Sequence, residues 1–434
     1  MVMDESVRMT ERDGEKGRSI DRQTGGEWIM PVVEFADKEE IWRAFLEEKV
    51  SKRQMGYKEA AFTRELIEKK AYLGLAEAYR QRRLPEQLPV KHILSKAGSQ
   101  KKRTVYSFEG EEGIFLKFVA WLLHSYDGYF AQNCYAFRKN NGVREAIRRI
   151  CREKELERKY CWKVDISNYF NSIDVELLLR KLVFVQKNDP GLYQLFEKIL
   201  REPRVREKKA VVLDRHGAMA GIPIAPFWAN VYLAEVDAFF EKAGILYFRY
   251  SDDILIFAES EEELRKQQER LCGWLEELHL SVNPEKARIA APGEYWEFLG
   301  FGYRKGQIDL SENTIRKTKA KIRRKADALR RWQRSRQLTP DKAAIGLIHS
   351  MNCKFYGNKE GREPQEDEFT WCRWFLPNLT TDRGLRIIDE YMQEYIRYAV
   401  TGRHYKGNYR ISYETLKQWG YRSLVHEFWE RRKL

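Results

Sequence analysis

The stretch FRYSDDILIF, from Phe248 to Phe257, determines which fold class the chain can adopt. Aromatic and β-branched residues on both sides predict two strands, and Ser-Asp-Asp between them predicts the reversal of a hairpin. Asp252 and Asp253 would then lie together at its tip. A polar turn explains such a pair equally well, because aspartate is common in turns. The rest of the chain must decide between a turn and a functional site.

A third aspartate follows another predicted strand. In KVDISNYFNSID, Asp165 ends a β pattern that includes Trp162 and Val164. Two strand-end carboxylates can converge, and short carboxylate ligands suit a pair of Mg²⁺ ions. In two-metal phosphoryl transfer, one ion activates a 3′-hydroxyl and the other neutralises the leaving pyrophosphate. The pattern predicts such a site, with Mn²⁺ as the alternative ion.

The composition indicates a polyanionic partner. The 434 residues include 79 Lys or Arg against 65 Asp or Glu, a formal charge of +14. Nucleic acid is the first candidate and an acidic membrane surface the second. From Arg316, RKTKAKIRRKADALRRWQRSR holds eleven Lys or Arg and one acid in 21 residues. A solvated helix face could look similar, but this imbalance favours contact with nucleic acid.

The sequence also indicates the compartment. It has no apolar stretch of transmembrane length, and the charged N-terminus resembles neither a signal peptide nor an anchor. Six scattered cysteines form no Cys-x-x-Cys pair, so we read them as reduced thiols. We therefore expect a cytoplasmic protein without a membrane partner.

Five stretches, in chain order, resemble motifs A to E of prokaryotic reverse transcriptases: KVDISNYF, GAMAGIPIAPFWANVYL, YSDD, LSVNPEKARI and WEFLGF. The resemblance covers residues 160–303, and KKRTVY with CYAFRKNNG extends it into the fingers. It implies an α+β right-hand polymerase with fingers, an antiparallel-sheet palm and a helical thumb. Interleaved strand and helix patterns without a regular βαβ repeat agree with that class.

This fold implies four segments along the chain. We expect a mobile N-terminal tail over 1–30 and a helical N-terminal region over 31–90. Fingers and palm would occupy 91–305, and a basic helical thumb 306–434.

The resemblance assigns roles to individual residues. The metal ligands would be Asp165, Ile166, Asp252 and Asp253, and the three aspartates would be catalytic. Lys286, in NPEKARI, matches a lysine placed to give a proton to pyrophosphate, although a lone loop lysine is usually only solvated.

The remaining assignments concern substrate and primer. Phe170 would close on the sugar 2′ position and favour dNTPs, unless it is a core aromatic. Basic residues of the fingers would bind the triphosphate or the template backbone. The full substrate set is Phe170, Lys101, Lys102, Arg103, Arg138, Ala220 and Gly221, and the primer grip is Phe298, Leu299 and Gly300.

Motif B departs from the common pattern, since Ala220 stands where members of the family carry a glutamine near the templating base. Motif C has Ser251 where alanine is usual. The sequence lacks both the cysteine pairs of an intron-type zinc endonuclease and the Asn-Ala-x-x-His signature of retron enzymes. The chain is therefore most similar to defence-associated and abortive-infection reverse transcriptases of bacteria.

The resemblance thus implies an RNA-directed DNA polymerase, and the similarity to defence-associated members implies a role in antiphage defence. Its partners would be RNA, such as a noncoding RNA, together with dNTPs, a DNA product and either a protein partner or a second copy of the chain. Two alternatives stay open: template-independent or restricted-template DNA synthesis, motivated by Ala220, and a catalytically silent, maturase-like RNA-binding protein.

Overall fold

The computed structural model describes residues 31–95, 102–357 and 370–433. The tail predicted over 1–30 and the predicted substrate residue Lys101 lie outside the described residues. Within the described part, no helix combines the length and apolar character that crossing a bilayer requires.

The N-terminal part is helical because its apolar residues recur at helical spacing. Trp42 and Phe45 of the first helix are buried, and the Trp42 ring stacks on Phe118 at a centroid distance of 4.0 Å. The helices of this part are α1 (Glu39–Ser51), α2 (Tyr57–Glu68) and α3 (Ala71–Arg80).

A four-stranded sheet with adjoining helices follows, which we call the fingers sheet. Its order is β2-β1-β4-β5, with antiparallel pairs except for β1 beside β4. The elements up to and including this sheet are β1 (Val90–Ser95), β2 (Lys102–Ser107), α4 (Gly110–Leu122), α5 (Val143–Arg152), β3 (Tyr160–Asp165), α6 (Tyr169–Ser172), α7 (Val175–Lys181), α8 (Val183–Asn188), α9 (Pro190–Arg201), β4 (Arg204–Glu207) and β5 (Ala210–Leu213).

The palm sheet is fully antiparallel, in the order β6-β7-β3-β8. Alternation of side chains sends Trp162, Val164 and Ile256 into a core with the surrounding helices, and Cys161 and Phe257 into a second core on the other face. The elements are α10 (Ala225–Tyr232), α11 (Ala234–Lys242), β6 (Tyr247–Tyr250), β7 (Asp253–Ala258), α12 (Glu261–Glu277) and β8 (Arg288–Ala290).

The C-terminal part joins the second core. A small antiparallel sheet of β9 (Trp296–Phe298), β10 (Phe301–Arg304) and β11 (Gln307–Leu310) leads into the long basic helix α13 (Glu312–Ser335). The helical region thus begins a few residues after position 306. The remaining helices are α14 (Pro340–Tyr356), α15 (Trp371–Trp374), α16 (Arg383–Thr401), α17 (Tyr413–Gln418) and α18 (Leu424–Lys433).

Candidate active site

Two neighbouring strands of the palm sheet bring the three predicted aspartates to one end of the sheet. β3 and β7 run antiparallel, and their register places Asp165 opposite Asp253. The amide of Ile166 donates a hydrogen bond to the carbonyl oxygen of Asp252 at 3.0 Å, which ties the end of β3 to the hairpin turn. The side chain of Asp165 is almost fully buried. Asp165 is therefore close in the fold to Asp252 and Asp253, although it lies far from them in the sequence.

The hairpin predicted from FRYSDDILIF is present, with a tight turn. Tyr250 pairs with Asp253, so Ser251 and Asp252 form a two-residue loop. Ser251 has a φ of 61°, a left-handed conformation that short hairpin loops use and that costs a bulky side chain most. The small residue at this position thus lets the chain reverse while Asp252 stays at the tip.

A buried ion pair supports this turn from below. Arg249 of β6 is fully buried, and its guanidinium donates to both carboxylate oxygens of Asp237 on α11. Its Nη1 also donates to the carbonyl oxygen of Ser251 at 3.3 Å. A buried guanidinium without a partner is very costly, so this pair fixes β6 against α11. Sequence reasoning did not predict this ion pair. Its only signal in the sequence is the position of Arg249 directly before Tyr-Ser-Asp-Asp.

Negative charge is crowded at the tip. Burial raises the pKa of the Asp252 carboxyl, and the nearby charge of Asp165 raises it further. Burial also raises the pKa of Asp253, an effect that the ammonium group of Lys163 partly offsets. Partly desolvated carboxylates that repel one another favour a bound cation.

Three basic side chains approach these carboxylates. The Nζ of Lys286 lies 2.5 Å from Oδ2 of Asp165. The Nζ of Lys163, which sequence reasoning did not single out, lies 4.0 Å from Oδ1 of Asp253. Arg103 of β2 is near enough to lower the pKa of Asp252. The palm and the fingers sheet therefore both contribute charge to the site.

The donor set fits a hard divalent cation by its chemistry. Aspartate oxygens are the ligands that Mg²⁺ prefers in proteins. No group of three Asp, Glu, His or Cys side chains is already gathered as a metal site in the described part of the chain. Lys286 holds one oxygen of Asp165, and the charge of Asp165 acts unfavourably on the ionised Asp252. The fit thus rests on the oxygen donors, whose negative charge Lys286 and Lys163 offset only in part.

Phe170 belongs to an aromatic cluster that joins α6 to the hairpin. Its half-buried ring meets Phe137 edge to face at 6.2 Å and Tyr169 at 5.7 Å. The ring of Phe137 also contacts that of Tyr250, the residue before the turn, at 6.1 Å. Phe137 and Tyr250 were not singled out from the sequence. The substrate role of Phe170 stays a prediction.

The motif B loop connects the palm to the fingers sheet. The amide of Ala220 donates to Oδ1 of Asn171 at 3.2 Å, and its carbonyl oxygen accepts from the amide of Tyr106 on β2 at 2.8 Å. Gly221 has a φ of 111°, and a Cβ there would lie 2.8 Å from the Tyr106 carbonyl oxygen. The main chain of Ala220 is therefore held by Asn171 and Tyr106, Gly221 has no room for a side chain, and the Ala220 methyl group is buried.

The predicted basic residues of the fingers separate into two groups. Lys102 and Arg103 are exposed at the start of β2. Arg138 instead donates to main-chain carbonyl oxygens, at 2.7 Å to Ala131 and 2.8 Å to Asp127. These bonds give Arg138 a structural role in its loop, and its contact with substrate stays a prediction.

The predicted primer grip is a two-residue hairpin turn. Phe298 pairs with Phe301, leaving Leu299 at φ 51° and Gly300 at φ 90° between β9 and β10. A Cβ on Gly300 would lie 3.1 Å from Oγ1 of Thr314 on α13 and 3.2 Å from the ring of Phe375, so the C-terminal part packs directly on this turn. Its role toward a primer stays a prediction.

Comparison with known proteins agrees with this geometry. The family model of the reverse transcriptase (RNA-dependent DNA polymerase) matches residues 115–303. This range contains the three aspartates, and the domain it defines is that of an RNA-directed DNA polymerase, a nucleotidyltransferase. The predicted α+β polymerase fold is confirmed. No curated protein is significantly similar to the chain.

Among solved structures, the chain is similar to apo telomerase from Candida tropicalis. The likeness has 11% identity and a TM-score of 0.46, and it covers 77% of this chain and 60% of that one. A form of that telomerase truncated from the C-terminal domain gives 12% identity and a TM-score of 0.38, covering 51% of this chain and 55% of the other. The chain thus spans little more than half the length of these proteins.

Proposed function

We propose that this protein is a reverse transcriptase that adds dNMP to a 3′-hydroxyl and releases pyrophosphate. The observation that carries the proposal is the register of Asp165 opposite Asp253, with Asp252 in the adjoining turn. A polar turn alone has no need for a third carboxylate on the neighbouring strand, nor for cations from two other elements beside it. The proposal extends to the whole chain the activity of the domain matched over 115–303.

Asp165, Asp252 and Asp253, with the main chain of Ile166, would hold Mg²⁺, or Mn²⁺ as the alternative. When bound, such ions lower the pKa of the attacking hydroxyl and neutralise charge on the phosphates. The protein's own contribution is positioning and electrostatic stabilisation, which dominate phosphoryl transfer. The hairpin turn and the Arg249–Asp237 pair beneath it keep two of the carboxylates in place.

Other residues would bind the nucleotide. Lys102 and Arg103 lie on β2, where their side chains can reach phosphates of a dNTP. Phe170 would stand beside the sugar, and Lys286 would leave Asp165 to give a proton to pyrophosphate. Phe298, Leu299 and Gly300 would support the primer strand. The N-terminal region over 31–90, fingers and palm over 91–305 and a thumb from 306 are the segments we propose.

The proposed nucleic-acid partner is RNA. The exposed cations of α13, including Arg316, Lys321 and Arg324, present positive charge along one helix. Phosphate contacts of this kind supply most of the affinity for nucleic acid and little of its sequence preference.

The test is incorporation of labelled dNTPs by the purified protein with its co-purifying nucleic acid, beside an Asp252→Ala, Asp253→Ala double variant. Divalent-cation-dependent product from the wild type alone is the expected result. If neither protein forms product while RNA remains bound, the polymerase proposal fails and the silent RNA-binding alternative replaces it.

A second candidate function keeps the fold and changes the template requirement. The buried Ala220 methyl group, in place of an amide that can reach a templating base, motivates it. Products made with and without added RNA templates would be sequenced. Product whose sequence ignores every template would support template-independent synthesis over reverse transcription.

We also propose an antiphage role in bacteria, which the altered motif B supports by its similarity to defence-associated enzymes. Phage plating on cells that express the wild type or the Asp252→Ala, Asp253→Ala variant tests it. Equal plating on both would overturn this role and leave the polymerase proposal intact.

A further inference from the structure

A surface loop after α16 combines exposed aromatic rings with basic side chains. Its residues 403–410 read RHYKGNYR and include no acid. The side chains of Tyr405 and Tyr409 are 54% and 76% exposed. Single exposed apolar groups are ordinary on protein surfaces, but here two rings lie within five residues and have cations between and beside them. The loop is therefore a distinct patch, and it contains none of the residues assigned to the candidate active site.

Both rings are supported by the protein on one side. The guanidinium of Arg397 on α16 lies over the Tyr409 ring, 5.3 Å from its centroid. That guanidinium is itself fixed, because its Nε donates to the carbonyl oxygen of Ile411 at 3.0 Å. The ring of Tyr405 packs against Gly407, where a Cβ would clash with the ring as it is placed. The rings are thus held in position while much of their surface stays exposed to solvent.

The main chain of the loop is also fixed. Asn408 is buried, and its Nδ2 donates to the carbonyl oxygen of Arg403 at 2.6 Å. The amide of Asn408 donates to the carbonyl oxygen of Tyr405 at 3.1 Å, within a 3-10 turn over Lys406–Arg410. A preorganised loop loses little conformational entropy when it binds a ligand.

Positive charge surrounds the two rings. Three cations of the loop are exposed and form no ion pair with a described residue: Arg403, Lys406 and Arg410. Exposed cations beside aromatic rings are the combination with which proteins bind single-stranded nucleic acid, because the cations contact phosphates and the rings stack on bases.

The loop continues the positive charge of α13. His404 stacks on the Tyr398 ring at 4.4 Å, and Arg330 of α13 lies over the same ring at 4.8 Å. A Cβ on Gly402 would clash with the guanidinium of Arg330, so the loop begins directly against α13. The ten Lys and Arg residues of α13 likewise form no ion pair with any residue that the structure describes. One strand can therefore contact the loop and α13 together.

We propose that residues 403–410 bind a single strand of nucleic acid, with unpaired bases stacked on Tyr405 and Tyr409 and phosphates held by the neighbouring cations. Every base has a face that can stack on a ring, so the site requires no particular sequence. A duplex keeps its bases stacked on one another and cannot use the rings in this way. RNA and the DNA product are the two sources of such a strand. The inference rests on the proposed function only in taking nucleic acid as the partner, because it requires no catalysis.

The first test compares the affinity of the wild type and of a Tyr405→Ser, Tyr409→Ser variant for a fluorescein-labelled oligouridylate. Each lost stacking contact should weaken binding by about 5-fold to 150-fold. The dependence on salt should stay the same, because no charge is removed. A Tyr405→Phe, Tyr409→Phe variant keeps both rings and should bind like the wild type. A fully paired RNA duplex should bind equally to the wild type and to the Ser variant.

The second test concerns the phosphate contacts and uses an Arg403→Gln, Arg410→Gln variant. Each lost contact lowers the slope of log K against log salt by about 0.7 for a single strand. The variant should therefore lose about 1.4 from that slope, on the same principle. An Arg403→Lys, Arg410→Lys variant keeps both charges and should keep the slope.

Matched controls lie far along the chain from the loop. Tyr57, on α2, is 89% exposed, and Tyr57→Ser should leave the affinity unchanged. Arg64 on α2 and Arg180 on α7 are exposed arginines, and replacing both by glutamine should leave the salt slope unchanged. Thermal unfolding of each variant verifies that the fold is kept.

Equal affinity of the wild type and the Ser variant for oligouridylate would overturn the proposal, and so would an equal loss of affinity for the single strand and the duplex. Unlabelled oligodeoxythymidylate separates the two sources: competition stronger than that of oligouridylate assigns the loop to the DNA product, weaker competition to RNA, and equal competition to both. Binding is measured without dNTPs. A protein that shows ring-dependent binding but incorporates no nucleotide would therefore contradict the proposed function and leave this site standing.

Discussion

Lys286 forms an ion pair with Asp165, its Nζ 2.5 Å from Oδ2 of the carboxylate. The lysine comes from the loop before β8 and the aspartate from the end of β3. Because the partner of the lysine is itself a proposed metal ligand, the contact would have to break when a cation and a nucleotide bind. Lys286 is then free to face the phosphates that arrive with the nucleotide.

Replacing Lys286 by methionine should lower kcat by about 10²-fold or more, the usual contribution of a positioned proton donor, with a smaller change in KM for dNTP. Lys286→Arg keeps the positive charge but cannot give up a proton near neutral pH, so it should not restore kcat. Steady-state dNTP incorporation measures both. Full activity of the arginine variant would show that charge alone matters at this position.

The crowded carboxylates should destabilise the metal-free protein. Since burial raises the pKa values of Asp252 and Asp253 above the ordinary 3.8, their neutral forms suit the fold better. This contribution to stability is present below pH 3.8 and is lost as pH rises through the raised values. At neutral pH, an Asp252→Asn, Asp253→Asn variant should therefore melt at a higher temperature than the wild type without divalent ions.

The matching experiment adds MgCl₂ and repeats the thermal scan. A cation that binds only the folded site raises the melting temperature of the wild type, and the Asn variant should not respond. EDTA should reverse the effect. Equal response of both proteins would mean that the carboxylates do not hold the ion.

The hairpin and the strand that carries Asp165 could be predicted from sequence because both depend on local alternation of apolar residues around a turn. The buried ion pair that supports the hairpin turn could not be predicted in this way. Asp237 and Arg249 lie on different elements, and only tertiary packing brings them together. Arg138 shows a different limit: its basic side chain suggests a ligand role, but its guanidinium donates to the main-chain carbonyl oxygens of Asp127, Ala131 and Cys134.

Gly221→Ala should separate the motif B loop from the fingers sheet. The residue has a φ of 111°, and its new Cβ would lie 2.8 Å from the Tyr106 carbonyl oxygen. Backbone strain and overpacking together should cost about 3 kcal/mol, and dNTP affinity should fall because β2 also carries Arg103. Gly244→Ala is the control, with φ 66° and open space around it, and should cost only about 1 kcal/mol. Urea denaturation measures both; equal losses would contradict the close approach.

Arg249→Met should leave Asp237 as an uncompensated buried charge, at a cost of about 3–5 kcal/mol. The hydrogen bond to the Ser251 carbonyl oxygen is lost as well, so incorporation per folded molecule should also fall. Adding Asp237→Asn removes the orphaned charge and should recover part of the stability without recovering the activity. Arg265→Met, which breaks an exposed pair with Glu261, should change stability by less than about 1 kcal/mol. If the double variant were as active as the wild type, Arg249 would have no part in placing the turn.

Phe170→Ala tests whether this aromatic residue of α6 selects the sugar. Its half-buried ring is supported by Phe137 and Tyr169, so removing it opens space for a 2′-hydroxyl. The preference for dNTP over rNTP, as a ratio of kcat/KM, should fall by about 10-fold to 100-fold, the range that one steric contact supplies. Phe170→Tyr keeps the ring and should keep the preference. A variant that lost stability but discriminated as well as the wild type would identify Phe170 as a core aromatic, because packing alone does not distinguish the two sugars.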